Sequence, residues 1–308
     1  MNGISNTESD FQIRHELWKK CLLGDDRNSI HQQIHRMLFE TGSWLVLNES
    51  RKYAPPVKEG GVQLNGMVHN LIDICFAESQ FSTIRRLVDT YPIDGHPNNR
   101  DVYSLVSLLE DLKKHVYLLT RKNIFPPQIE YDEEKSREKL NEIMNSGFKG
   151  GALSLKASPE FTQRNQERID KLTGTNPRQR NPQNTVLPVL FDNLIKRVKE
   201  ASQKIETYCN KFISHAATQQ SRGTFSLENL TFQDLLNAQK IICQAAAFLD
   251  HFLLSGSFSL GTPQYDLFKY FSPQFARVED IPKFIETWKD FKKETEGWKT
   301  FKIEELVK

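Results

Sequence analysis

A chain of 308 residues is long enough to bury one large core or two smaller ones. Hydrophobic residues make up 38% and charged residues 26%, ordinary for a globular protein. The net charge of +2 gives no global field that would draw the chain to nucleic acid or anionic lipid, so any such binding needs a local basic patch.

Cys21, Cys75, Cys209 and Cys243 stand far apart with no CxxC spacing, which argues against a zinc site and fits free thiols in a reducing compartment. The first residues are polar and acidic, and no apolar run approaches the roughly 18–20 residues of a membrane span. The expectation is a cytoplasmic protein with no membrane association.

In 28–47, Ile30, Ile34, Met37, Leu38, Thr41, Trp44 and Leu45 recur at three and four, the spacing of one helix face. Pro55, Pro56, Gly60 and Gly61 then break the chain. A second helix is predicted over 63–78, with Leu64, Met67, Val68, Leu71, Ile72 and Cys75 inward, and a third from Gln80 carrying Ile84 and Leu87. Tyr91 to Asn99 reads as a loop. Asp101 stands as a cap for a helix reaching Arg121, striped by Val102, Leu105, Leu108, Leu109, Leu112, Val116 and Leu119.

From Asn123 to Thr185 apolar residues seldom recur, and this stretch reads as a partly ordered insertion. Its charged part, Tyr131–Met144, suits an exposed helix, and Thr173–Thr185 is a polar run. Gly150-Gly151 lacks the Lys-Ser/Thr of a phosphate-binding loop, so nucleotide hydrolysis has no support.

The stripe resumes through Leu190, Leu194, Val198, Ala201, Ile205, Tyr208 and Phe212, with Pro188 in the first turn and an end at Ser221-Arg222-Gly223. Ser226 or Thr231 caps the next helix, whose face is Leu235, Ala238, Ile242, Ala245, Leu249 and Phe252. The tail, 256–308, carries ten aromatic residues from Tyr265 to Phe301 and must pack on the bundle or on a protein partner. No strand alternation and no repeat is evident, so the predicted class is all-α, an up-and-down helical bundle.

Two segments carry a resemblance. One is Glu78-Ser79-Gln80-Phe81-Ser82-Thr83-Ile84-Arg85-Arg86-Leu87-Val88-Asp89. The other is Tyr208-Cys209-Asn210-Lys211-Phe212-Ile213-Ser214-His215-Ala216, followed by Leu230-Thr231-Phe232-Gln233-Asp234-Leu235. Together they resemble the AbiU-like branch of the HEPN superfamily. The resemblance implies a HEPN-like bundle formed by 11–122 and 186–255, with 123–185 inserted and extra helices in the C-terminal tail. It also implies a homodimer, which the apolar faces near 190–215 and 231–254 suit, and a place in a bacterial phage-defence or toxin-type system acting on RNA.

The family hallmark is an Arg, a polar residue, and a His four to six residues after the Arg, with the His handling protons and the Arg stabilising phosphate. Here His215 takes the His position and Asn210 the polar one, but Cys209 stands where the Arg belongs. A thiol supplies no planar cation. Lys211, one helical turn before His215, and Arg222 are candidates to take over the phosphate contact. Arg85 and Arg86 are candidates either for RNA phosphates or for pairing with Asp89. Two readings follow: a degenerate module acting by association or RNA binding, and an active metal-independent endoribonuclease using His215. His31 and His35 have the spacing of a helical metal pair, but no clear third ligand is near, and no metal or cofactor is expected.

Overall fold

The computed structural model describes residues 4–54, 66–91, 93, 103–124, 159–213, 218–223, 230–254, 260, 278–299 and 303–307. Among them the regular elements are all helical, with one isolated antiparallel bridge between Thr120 and Thr185, so the fold class is all-α. The longer helices are α1 (Ile4–Leu23), α2 (Ile30–Ser50), α3 (Gly66–Val88), α4 (Leu105–Lys114), α5 (Pro159–Thr173), α6 (Pro188–Tyr208), α7 (Phe232–Phe248) and α8 (Ile281–Gly297). The expected helix over Tyr131–Met144 and the Asp101 cap lie outside the described residues.

The chain forms two compact units. One comprises Met1–His15, Leu112–Asn193 and Lys302–Lys308; the other comprises Glu16–Asp111 and Leu194–Phe301.

In the first unit, part of the supposed insertion is firmly built. α5 buries Ile169 and Leu172 and brings Asp170 against Arg121, an ion pair that Arg180 joins at 2.8 Å. Burial pushes the Asp170 carboxyl up, but hydrogen bonds from Arg180 and Arg121 and their charges outweigh it and hold it below the ordinary carboxylate range. The polar run after α5 is hydrogen-bonded by its backbone to 119–122: Arg121 N–H donates to Asn184 (2.7 Å), Lys122 N–H to Pro182 (2.9 Å), and Val186 N–H to Leu119 (3.0 Å). Polar composition there reflects bonding by backbone and ion pairs. The helix predicted to reach Arg121 is also shorter: α4 ends at Lys114, and single turns follow at Val116–Leu118 and Arg121–Ile124.

In the second unit, α2 packs on α3, α7 and α8. Ser29 caps α2, and Ile30, Ile34, Met37 and Leu38 are fully enclosed as their spacing predicts. At the far end Arg51 grips Asp73 of α3 in a two-pronged pair of 2.7 and 2.8 Å. The Trp18 indole N–H donates to Asp111 at 2.7 Å inside the core. α8 lies so close that a Cβ on Gly42 would run into the Trp288 ring, which explains a glycine in mid-helix. Of the tail aromatics, Phe284, Phe291 and Trp298 are buried; Tyr265 to Phe275 lie outside the described residues. Thr231, one of the two proposed caps, closes a reciprocal capping box with Asp234 at the start of α7.

Two expectations for 63–88 are corrected. The segment is one helix, not two: α3 runs unbroken through Ser79 and Gln80. Gln80 looked like a helix start because it is polar, yet it is fully buried. Its amide is satisfied by Glu40 (2.8 Å), Gln239 (2.7 Å) and Thr41 (3.2 Å), a polar patch inside the core. The residues placed inward at the N-terminal half are also largely outward. Met67 is 85% exposed, Leu71 59% and Val68 49%, and Cys75 is exposed too. That half leans on α2 through Ile72 and Phe76, leaving its second apolar row bare.

Candidate functional site

The residues singled out by sequence gather in the second unit, where the end of α3 meets the end of α6. α6 does not continue as an α-helix past Tyr208. Cys209–Ile213 form a wider π-helical turn, a local form that recurs at functional sites.

Cys209 points into the core, 1% exposed. Burial first, and the carboxylates of Glu206 and Asp89 after it, push its thiol up to about 11 against the pull of Arg85. It is a neutral thiol at pH 7, neither nucleophile nor cation. Its neighbour Asn210 faces outward and accepts a hydrogen bond from Arg85 Nη1, across 125 positions of sequence. Arg85 Nε lies 3.6 Å from Asp89 Oδ1, so the pairing with Asp89 is real and the same guanidinium spans both partners.

The end of α3 is fixed by two serines of α4 and its approach. Ser104 Oγ donates to the Leu87 carbonyl at 2.9 Å and also meets that of Asp89; Ser107 Oγ donates to the Asp89 carbonyl at 3.1 Å. Burial raises the Asp89 carboxyl, only partly offset by Arg85. Glu206 is raised by burial and then by the charge of Asp89, with Arg85 and Lys199 pulling the other way. Arg85 is thus a cation set among an amide and two reluctant carboxylates.

Lys211 and Arg222 form the other side. Lys211 Nζ donates to the Arg222 carbonyl at 2.9 Å, and the Arg222 guanidinium lies 5.1 Å above the Phe212 ring. Phe212 stacks on Tyr208 (4.8 Å), and Tyr208 meets Phe81 of α3 edge-on (5.3 Å). Arg222 stands on a short turn, Gln219–Arg222, capped by Thr218 and closed by Gly223 at φ 59°, where glycine is favoured. Arg86 does not join the cluster. It donates to Thr83 of its own helix (3.0 Å), and burial with the charge of Arg36 lowers its pKa against the opposing charge of Glu40. His215 lies outside the described residues.

Glu206 was missed by sequence reading, and only its place one turn before Asn210 could have drawn attention to it. The π-helical turn leaves no mark in the composition. His31 and His35 lie ring against ring at 4.1 Å. Among the described residues no group of three His, Cys, Asp or Glu is placed to hold a metal ion, and no helix is long and apolar enough to cross a membrane. Compared with known proteins, the chain matches no family model, no curated protein and no solved structure.

Proposed function

We propose that the protein is a catalytically silent HEPN-type module that binds RNA through the surface around Lys211 and Arg222. In this reading it acts as a cytoplasmic homodimer within a bacterial phage-defence or toxin-type system. The observation that carries the reading is the buried, neutral thiol of Cys209 beside Asn210. The cation nearest to Asn210, Arg85, faces Asp89 and feels Glu206, so its charge is largely answered before any phosphate arrives. Lys211 and Arg222 are held by a backbone carbonyl and an aromatic face, neither of which cancels their charge. They suit contacts to a sugar–phosphate backbone that position without reading sequence.

Fluorescence anisotropy with labelled single-stranded RNA at several salt concentrations tests this. Wild type binds and leaves the RNA intact, and Arg222→Ala weakens binding similarly for all sequences while reducing the salt slope by about one. No binding by wild type, or no change in Arg222→Ala, overturns it.

One observation favours the second reading, an active endoribonuclease. Arg85 brings a planar guanidinium to Asn210 from another helix, beside the position where the resemblance calls for arginine. RNA cleavage abolished by both Arg85→Ala and His215→Ala would establish that reading in place of the silent one.

A further inference from the structure

A different part of the second unit carries a second site. Between α2 and α3 lies an open groove of about 500 Å³. That is within the range of roughly 300–1,000 Å³ typical of small-molecule sites. Phe39, Trp44, Leu47, Leu71 and Phe76 supply apolar walls, and Glu40 is the charged residue on its lining.

The walls are stiff. Trp44 stacks on Phe76 at 4.8 Å and 8°, meets Phe232 at 5.0 Å, and donates its indole N–H to Asp73 at 2.8 Å. The carboxylate is equally constrained. Glu40 Oε2 accepts from Ser79 Oγ (2.7 Å) and Gln80 Nε2 (2.8 Å). Gln80 is held in turn by Gln239 and Thr41, all three fully buried. A chain of core hydrogen bonds thus fixes one oxygen of Glu40, and neither donor engages Oε1. Arg86 feels the charge of Glu40 but directs its hydrogen bond to Thr83. Ser43, on the same lining, has a hydroxyl shielded from solvent with no hydrogen-bond partner.

We infer that this groove binds a small apolar molecule carrying a protonated amine. An ammonium has donors only, which matches a carboxylate oxygen and a hydroxyl oxygen; its apolar body matches the aromatic and aliphatic walls. An anionic ligand would meet Glu40 as a like charge. A neutral alcohol would gain the walls but lose the charge-assisted bond.

Cys75 gives a built-in reporter, because it lines the groove and is exposed while Cys21, Cys209 and Cys243 are buried. The test titrates the full chain with 4-phenylbutylamine, 4-phenylbutanol and 4-phenylbutyrate, using calorimetry and the rate of Cys75 alkylation by iodoacetamide. The amine is expected to bind saturably and slow alkylation. The alcohol should bind at least about tenfold more weakly, the lower end of what a hydrogen bond to a charged group supplies. The carboxylate should not protect. Glu40→Gln, which keeps the shape, should abolish the preference for amine over alcohol. Leu71→Trp, at an exposed position, should block all binding with the fold intact. No amine binding, equal binding of the three probes, or amine preference unchanged in Glu40→Gln overturns the inference.

Discussion

The two halves of α3 have similar apolar content and opposite fates. From Gln80 to Val88, Phe81, Ile84, Leu87 and Val88 are buried, with Gln80 and Thr83 enclosed among them. From Met67 to Cys75, Met67, Val68, Leu71 and Ile74 are exposed. The later half has neighbours on several sides, including α2, α7 and the turn after α6. The earlier half leans on α2 alone along the groove. Helical periodicity tells which residues share a face; it does not tell whether a neighbour covers that face.

The largest effect that tests this contrast is in the core. Ile84→Ala should cost about 2–5 kcal/mol by chemical denaturation, whereas Leu71→Ala should stay within about 0.5 kcal/mol. Equal costs would mean that the earlier half is covered as well. An intermediate effect is expected at the junction. Gln80→Ala strands the buried Gln239 amide and should cost about 1–3 kcal/mol, and a paired Gln80→Leu, Gln239→Leu variant should recover part of it. Without that recovery, the polar patch is not one connected unit.

The smallest effect sharpens the C-terminal end. The folded pKa of Asp89 is raised, chiefly by burial, so folding disfavours its ionised form. Its contribution is therefore full below the unfolded value near 3.9 and is lost as pH rises through the folded value. Asp89→Asn should be more stable than wild type at pH 7 by less than about 1 kcal/mol, with the gap closing below about pH 4. A gap that widens in acid would show that the pairing with Arg85 outweighs burial.

Much of the helical layout was readable in advance. The three-and-four spacing located α2, α6 and α7, and Thr231 was among the caps proposed. Composition misled where polarity served a structural end. Gln80 suggested a break inside α3, and Arg121, Asp170 and Arg180 suggested an insertion where they form an ion cluster. The candidate site was half legible. The pairing of Arg85 with Asp89 follows from their spacing, since residues four apart share a face. The meeting of Arg85 with Asn210 joins residues 125 positions apart, and no local pattern encodes it.

The wide turn at Cys209–Ile213 has a consequence for the reading frame of this helix. Closing hydrogen bonds five residues on, rather than four, accommodates one residue more than an α-turn of the same span. Losing a single codon there could be absorbed by tightening the coil, without breaking it. Everything downstream would then swing by about 100° about the axis, the angle of one residue at 3.6 per turn. Length variation at this point would leave the core sequence untouched while re-aiming the exposed end of the helix.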